Sequence, residues 1–182
     1  MNKYIREVVT FLLIVVVIFV PLRLSIQNFT IDGPSMEPSF KNKEIVLVDK
    51  VLYHLRSPQR GDVIIFRTPP MVGYDATFIK RIIGLPGDTL TRQGNKVYIT
   101  TVGGEVFEDP YPTSTWGSAQ EPYEVAEGEY FVMGDNRSHS SDSRSWGTVP
   151  KDRIVGKVSL IFWPLGDLGL TPGYETTAVQ GI

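Results

Sequence analysis

The sequence predicts a mostly β fold, in which an antiparallel β-sheet domain follows a single N-terminal transmembrane helix. Residues 8–22 form an apolar run with one threonine, one proline and no charged residue, as is typical of a membrane-spanning helix. After residue 27 the chain changes to short runs rich in β-branched and aromatic residues, which are typical of strands. Thirteen prolines and seventeen glycines in 182 residues also favour a turn-rich β protein over a helical bundle.

The apolar run at 8–22 is predicted to anchor the chain in a lipid bilayer. As a helix it spans about 22 Å, and a bilayer core of roughly 30 Å usually takes about 20 residues. Its apolar neighbours supply the missing length if Arg6 and Arg23 extend their side chains to the interface. A cleaved signal peptide would need a small-residue cleavage site, for which residues 21–29 are poorly suited. A buried core helix would need a polar face, so an uncleaved anchor is the preferred interpretation.

The positions of basic residues predict the orientation of this anchor. Lys3 and Arg6 precede the run, and the positive-inside tendency then puts the N-terminus in the cytoplasm. Residues 1–27 are accordingly predicted to be the cytoplasmic N-terminus and single-pass anchor, and residues 28–182 an extracytoplasmic β-rich domain. Residues from about 89 to 128 are expected to form a smaller subdomain or insertion on it.

The strands after the anchor are predicted from runs bounded by turn residues. Gly94-Asn95 and Gly103-Gly104 are expected to be the tight turns of a small meander. The segment 108–124 has no periodicity and several prolines, which indicates an exposed loop. The predicted strands are 44–51, 62–67, 77–83, 89–93, 96–101, 105–107, 129–133 and 155–163.

The composition excludes several kinds of function. A formal net charge of -2 gives no basic excess for nucleic acid, and the absence of cysteine removes thiolate nucleophiles and thiolate metal sites. The two histidines, His54 and His139, are too few for a multi-histidine metal site. A Ser-His-Asp triad around His139 is conceivable, but its hydrophilic surroundings favour a solvated loop histidine.

Lys80 and Arg81 interrupt the apolar strand pattern of residues 77–83. Because strand side chains alternate, each apolar face carries one basic residue, and one of the two is expected to point inward. A buried lysine can lose its proton, since burial lowers the pKa of an ammonium group. The neutral amine can then act as a general base, which an arginine cannot do. A lysine that merely extends to solvent is the structural alternative.

Two further segments carry candidate chemistry. Ser35 lies between Pro34 and Pro38 and next to Gly33, in a rigid stretch that suits either a nucleophile or an ordinary turn. Residues 134–147 are dense in serine, aspartate, asparagine and arginine between two apolar strands. They are either a polar surface loop or a hydrogen-bonded network that orients a catalytic group.

Four blocks in order after the anchor closely resemble bacterial type I signal peptidases. They are GPSMEP at 33–38, RGDVIIF at 60–66, KRIIGLPGD at 80–88 and GDNRSHSSDSR at 134–144. The last two are specific motifs, and the resemblance extends from the anchor to about residue 163. It implies a β-rich, largely antiparallel fold with a catalytic cleft near the membrane surface.

The resemblance assigns roles by position to a Ser-Lys dyad. Ser35 matches the nucleophile and Lys80 its general base, while Ser140 matches the hydroxyl that orients the lysine amine. Asp142 and Arg144 match a supporting pair. Gly134 and Asp135 match the block that packs beneath the site, and the expected substrate-binding residues are Ile31, Met36, Phe78 and Ile79.

The resemblance also implies an activity and its setting. The expected function is a serine endopeptidase that removes signal peptides from exported preproteins after Ala-x-Ala-like sites, at the outer face of the bacterial cytoplasmic membrane. Its expected partners are preproteins and the lipid bilayer, with no nucleic acid, no cofactor and no metal. One departure concerns Gly33, which stands where some family members carry a serine whose hydroxyl completes the oxyanion hole. The backbone N–H of Ser35 is then the one donor assigned.

Two other functions remain open from the sequence. A self-cleaving Ser-Lys protease of the repressor-processing kind would have a DNA-binding region in place of the anchor. A membrane-anchored β domain with an inactive site could instead bind or scaffold partners, although the complete set of Ser35, Lys80 and Ser140 argues against it.

Overall fold

A computed structural model describes residues 2–113, 116–117, 119 and 121–179, and the side chains of all of these except residues 18, 20–22 and 24. The extreme ends of the two predicted domains, residues 1 and 180–182, therefore lie outside the described residues. The same holds for residues 114, 115, 118 and 120 of the predicted loop at 108–124.

Helix α1, Lys3–Ser25, takes up the apolar N-terminal run and ends directly before the first strand. Its described apolar side chains from Val8 to Val17 are exposed. Among the described residues no helix meets the length and apolarity needed to cross a membrane. The transmembrane helix of the predicted fold class is thus not observed in this part of the chain. The helix ends two residues before the predicted domain boundary at 27.

The larger of two antiparallel sheets has eight strands. Their order is β1-β2-β11-β3-β4-β9-β10, and β12 pairs with β11. Strand β4 lies inside the sheet, between β3 and β9. The strands are β1 Ile26–Thr30, β2 Ile45–Asp49, β3 Val63–Arg67, β4 Thr77–Gly84, β9 Glu129–Met133, β10 Val149–Pro150, β11 Ile154–Trp163 and β12 Gly169–Leu170.

The second sheet contains five strands in the order β13-β7-β6-β5-β8. The tight turn at Gly94 and Asn95 joins its β5 and β6, as predicted. Four of its strands come from the region predicted to be a subdomain, whereas β13 comes from the C-terminal segment. The strands are β5 Thr89–Gln93, β6 Lys96–Thr100, β7 Val106–Glu108, β8 Tyr123–Glu124 and β13 Thr177–Ala178.

The prediction of a mostly antiparallel β fold is confirmed, and every predicted strand is present within a few residues of its predicted ends. Helices α2, Leu52–Leu55, and α3, Ser143–Trp146, have four residues each. Strands β1, β8, β10, β12 and β13 were not predicted. Four of them have only two residues, and such strands exist because a partner strand supplies hydrogen bonds. Strand β1 was hidden because its first residues continue the apolar anchor pattern.

Three clusters of buried apolar side chains hold the sheets and loops together. The first packs the segment after β1 against β2, β3, β4 and β11, through residues that include Ile31, Met36 and Phe40. The second lies between the two sheets and contains Leu90 and Phe131. The third contains Ile64, Phe66 and Ile82 from the larger sheet. The segment that carries Ser35 is therefore fixed to the core rather than free at the surface.

Candidate active site

The segment that carries Ser35 is a compact turn anchored on both sides. The N–H of Glu37 donates to the carbonyl of Pro34 at 3.1 Å, and the N–H of Phe40 donates to the carbonyl of Met36 at 3.0 Å. Met36 and Phe40 are fully buried in the first apolar cluster. Gly33 has φ of 95°, a left-handed conformation that other residues adopt only with strain. The turn thus presents Ser35 at the surface on a rigid backbone.

Lys80 meets Ser35 from strand β4. Its Nζ lies 2.8 Å from Ser35 Oγ and also donates to the carbonyl of Ile79 at 2.8 Å. The side chain is only 4% exposed. The structure thus brings the predicted nucleophile and the predicted general base within hydrogen-bond distance, which is the geometry that nucleophile activation requires.

Burial controls the protonation of Lys80. It lowers the pKa of the ammonium group from 10.5 to about 8, because the charged form loses its hydration. The carboxylates of Asp142 and Asp135 act in the opposite direction and raise this pKa. Burial prevails, so the fraction of Lys80 that carries a free lone pair is far larger near neutral pH than for an exposed lysine, and it reaches about one half near pH 8.

The polar block after β9 contacts the serine segment through its backbone. The N–H of Asn136 donates to the carbonyl of Ser35 at 3.1 Å. A Cβ atom on Gly134 would overlap both this carbonyl oxygen and Ser140 Oγ. Glycine is therefore required at position 134, because only a residue without a side chain lets the block approach Ser35 so closely.

Asp142 and Arg144 form the predicted supporting pair, and the pair is buried. Arg144 Nε and Nη2 each donate to one oxygen of Asp142 at 2.8 Å. The second oxygen also accepts the N–H of Gly134 at 3.0 Å. The pair therefore holds in place the backbone that approaches Ser35.

Ser140 does not make the hydrogen bond expected of it. Its Oγ is buried and has no hydrogen-bond partner among the described residues, whereas the Lys80 amine bonds to Ser35 and to the carbonyl of Ile79. The hydroxyl is close enough to Gly134 to exclude a side chain there. In this structure Ser140 thus packs beside the dyad, and its role as an orienting hydroxyl stays a prediction.

Both basic residues of β4 point inward, although only one was expected to. Arg81 is 1% exposed and forms a two-fold hydrogen bond with Asp135, from Nε at 2.9 Å and from Nη2 at 2.6 Å. Neutralisation by this carboxylate makes the burial of the guanidinium tolerable. Two adjacent basic residues in an apolar strand indicated that at least one is buried. Strand periodicity could not identify Asp135, 54 positions away, as the partner that allows Arg81 to be buried too.

Loop 108–124 and the C-terminal segment complete the support around Arg81. Tyr111 and Tyr174 have ring centroids 6.4 Å apart, and the Arg81 guanidinium lies 5.9 and 5.5 Å from them. Asp109 forms a buried ion pair with Arg137. The sequence assigned no role to these residues, because their pairing depends on how the second sheet packs against the first.

An open cleft of about 350 Å³ runs alongside the dyad. Three of the four residues predicted to bind substrate line it, namely Ile31, Phe78 and Ile79. Met36 does not, since its side chain is fully buried in the first apolar cluster, where it anchors the serine turn. Ile65 and Ser141 line the cleft without having been predicted.

The position of Gly33 bears on the oxyanion hole. Its backbone N–H donates to Asn42 Oδ1 at 3.0 Å and is therefore engaged. The Gly33 N–H is therefore not available as a second oxyanion-hole donor beside the Ser35 N–H. Glycine at position 33 has no hydroxyl to serve instead. His139, the alternative catalytic residue, is exposed and lies 3.0 Å from Ser138 Oγ in the surface loop.

Comparisons with known proteins show which family the chain as a whole is similar to. A family model described as signal peptidase, peptidase S26, matches residues 3–163. Signal peptidase I of Leptolyngbya laminosa is 37% identical over 85% of this chain and 81% of its own length. Signal peptidase I S of Bacillus subtilis is 34% identical over 86% of this chain and 90% of its own. The crystal structure of a signal peptidase I from Enterococcus faecalis is 30% identical, with a TM-score of 0.46, over 57% of this chain and 98% of that one.

Proposed function

Because the chain belongs to the signal peptidase family, peptidase S26, we propose that it removes signal peptides from exported preproteins with Ser35 as nucleophile and Lys80 as general base. The single observation that carries this assignment is the 2.8 Å approach of the buried Lys80 amine to the Ser35 hydroxyl. The family membership supports the reaction, hydrolysis of a peptide bond, and the geometry supports the choice of these two residues.

The proposed chemistry needs only groups that the chain provides. The neutral amine of Lys80 takes the proton of Ser35 as Oγ attacks the scissile carbonyl carbon. The ammonium then protonates the leaving nitrogen, and the C–N bond breaks to leave an ester on Ser35. Lys80 then takes a proton from a water as the water oxygen attacks the ester carbonyl, and it returns that proton to Ser35 Oγ when the ester C–O bond breaks. The N–H of Ser35 is the proposed donor to the oxyanion.

The cleft supports a preference for small side chains before the cleaved bond. Ile31, Ile65, Phe78 and Ile79 fill its walls, and their bulk leaves shallow space. We therefore propose cleavage after Ala-x-Ala-like sites, since a larger side chain would have to displace core residues such as Ile79.

Cleavage of a purified preprotein tests the assignment against both alternative functions. The full chain in detergent should cut after an Ala-x-Ala site, and S35A and K80A should lose activity by about 10³-fold or more, because each removes one partner of the dyad. Cleavage would be followed by electrophoresis and mass spectrometry, with folding checked by circular dichroism. Folded wild type that cuts no preprotein would favour the binding domain. Cleavage of its own chain alone would favour the self-cleaving protease.

The location of the activity is a separate proposal. The apolar run at 8–22 and the basic residues Lys3 and Arg6 before it support a single-pass anchor with the active site at the outer face of the cytoplasmic membrane. Exposed Phe162 and Trp163 at the end of β11 suit a membrane interface as well. After alkaline carbonate washing of bacterial membranes, the protein should remain in the pellet, and its release would contradict the anchor.

A further inference from the structure

A second groove, of about 610 Å³, adjoins the other end of the serine segment. Residues 29–32 and 35 of this segment line the cleft, whereas Glu37 and Pro38 line the groove. Asn136, whose N–H binds the Ser35 carbonyl, also lines it. The groove therefore begins two residues after Ser35 and shares no lining residue with the cleft.

This arrangement matters because a preprotein continues on both sides of the scissile bond. If the residues before the bond occupy the cleft, the residues after it must leave Ser35 in another direction. The groove is a concave surface next to the serine turn, lined by the residues that follow Ser35 and by Asn136, which binds the Ser35 carbonyl. From this we propose that the groove binds the first residues of the mature chain, and that Glu37 makes it prefer a basic side chain there. The proposal rests on the proposed function.

The charges in the groove point to Glu37 as the selective group. Two charged residues at its floor are already neutralised, Asp135 by Arg81 and Arg137 by Asp109. The Glu37 carboxylate is half-buried and has no ion-pair or hydrogen-bond partner among the described residues. The groove thus presents one uncompensated negative charge in a partly desolvated position, where charge complementarity is effective.

The rest of the groove suits an extended polar chain. Asn95, Asn136 and Ser138 provide neutral hydrogen-bonding side chains, and Tyr111 and Pro112 provide apolar surface for the stem of a lysine or arginine. A substrate glutamate or aspartate would instead meet the Glu37 carboxylate, and like charges repel. The expected order of preference is therefore basic, then neutral, then acidic.

The test uses one preprotein with lysine, glutamine or glutamate at the first and second positions after the cleavage site. The wild-type full chain should give a kcat/KM about three- to tenfold higher for lysine than for glutamate, a range typical of a partly exposed charge pair. E37Q should remove this difference, and E37K should reverse it. The wild-type preference should shrink in about 0.5 M salt, because ions screen the interaction.

A matched control carries the same charge change elsewhere. Glu105 is exposed at the opposite end of β6 from Asn95, and E105Q should keep the wild-type preference. The glutamine substrate separates failure of the Glu37 proposal from failure of the proposed function, because its cleavage does not depend on a charge at the groove. Equal cleavage of all three substrates by wild type, or an unchanged preference in E37Q, overturns the role of Glu37 while the proposed function stands. No cleavage of any substrate by folded wild type overturns both.

Discussion

Replacing Lys80 with methionine should abolish cleavage and yet stabilise the folded protein by about 1–3 kcal/mol at pH 7. The pKa of Lys80 falls from 10.5 to about 8 on burial, and at about 1.4 kcal/mol per pKa unit this corresponds to a penalty of about 3 kcal/mol. Methionine fills a similar volume without a charge. The lost hydrogen bonds to Ser35 and the Ile79 carbonyl offset part of the gain, by about 1 kcal/mol.

The gain in stability from K80M should depend on pH. Because the pKa is lower in the folded than in the unfolded chain, the folded state binds fewer protons between pH 8 and 10.5. The stability contributed by Lys80 therefore rises with pH across that window, and the full penalty is present below it. Urea unfolding of wild type and K80M should differ most at pH 7 and least above pH 10. K96M, at a half-exposed surface lysine, should show no such gain.

The same protonation should appear in the kinetics of the wild type. The value of kcat/KM should fall on the acid side with an apparent pKa near 8, where the Lys80 amine becomes protonated. A rate that still rises at pH 10 would contradict a neutral Lys80, as would a K80M protein that is less stable than wild type at pH 7.

Replacing Asp135 with asparagine should destabilise the protein by about 3–5 kcal/mol, the usual cost of leaving one member of a buried ion pair without its partner. Arg81 and Asp135 have side chains that are 1% and 0% exposed, so solvent cannot take over the role of the carboxylate. Two good hydrogen bonds would also be weakened, because an amide group offers only one acceptor oxygen. Chemical denaturation of the full chain in detergent would measure the loss.

Two control variants test whether the loss in D135N comes from the buried ion pair. E121Q breaks the ion pair with Arg92, whose partners are each about one-third exposed, and should cost less than about 1 kcal/mol. The double variant R81M/D135L should recover much of the stability lost in D135N, because it removes both members of this pair and leaves neither charge unpaired. Equal losses in D135N and E121Q would contradict the role assigned to the buried pair.

Strand periodicity and the order of motifs are the two sequence features that predict most of the fold and the site. The run at 77–83 predicted β4, and the conflict between its apolar faces and its basic residues singled out Lys80. Periodicity could not reveal that Arg81 also points inward, since this depends on Asp135 in a block beyond the second sheet. The two-residue strands could not be predicted either, because they are too short to show an alternating pattern and are defined by hydrogen bonds to another segment.

Some residues predicted around the dyad lie where they were expected and others do not. Phe78 and Ile79, which the resemblance assigned to the cleft, line it as expected. Met36 follows the nucleophile in sequence, but the turn directs its side chain into the core. Ser140 depends on hydroxyl geometry at a contact between two loops, which no local pattern encodes.

The antiparallel β class, the positions of the main strands, the family and the candidates Ser35 and Lys80 can all be predicted from the sequence, because periodicity and ordered motifs are local properties. Three properties depend on the tertiary structure: the 2.8 Å distance between the two candidates, the burial that lowers the pKa of Lys80, and the exposure of Glu37 to a groove without an ionic partner among the described residues. These properties arise from packing between segments remote in sequence. Desolvation and charge pairing depend on what surrounds a side chain, and that is established when the chain folds.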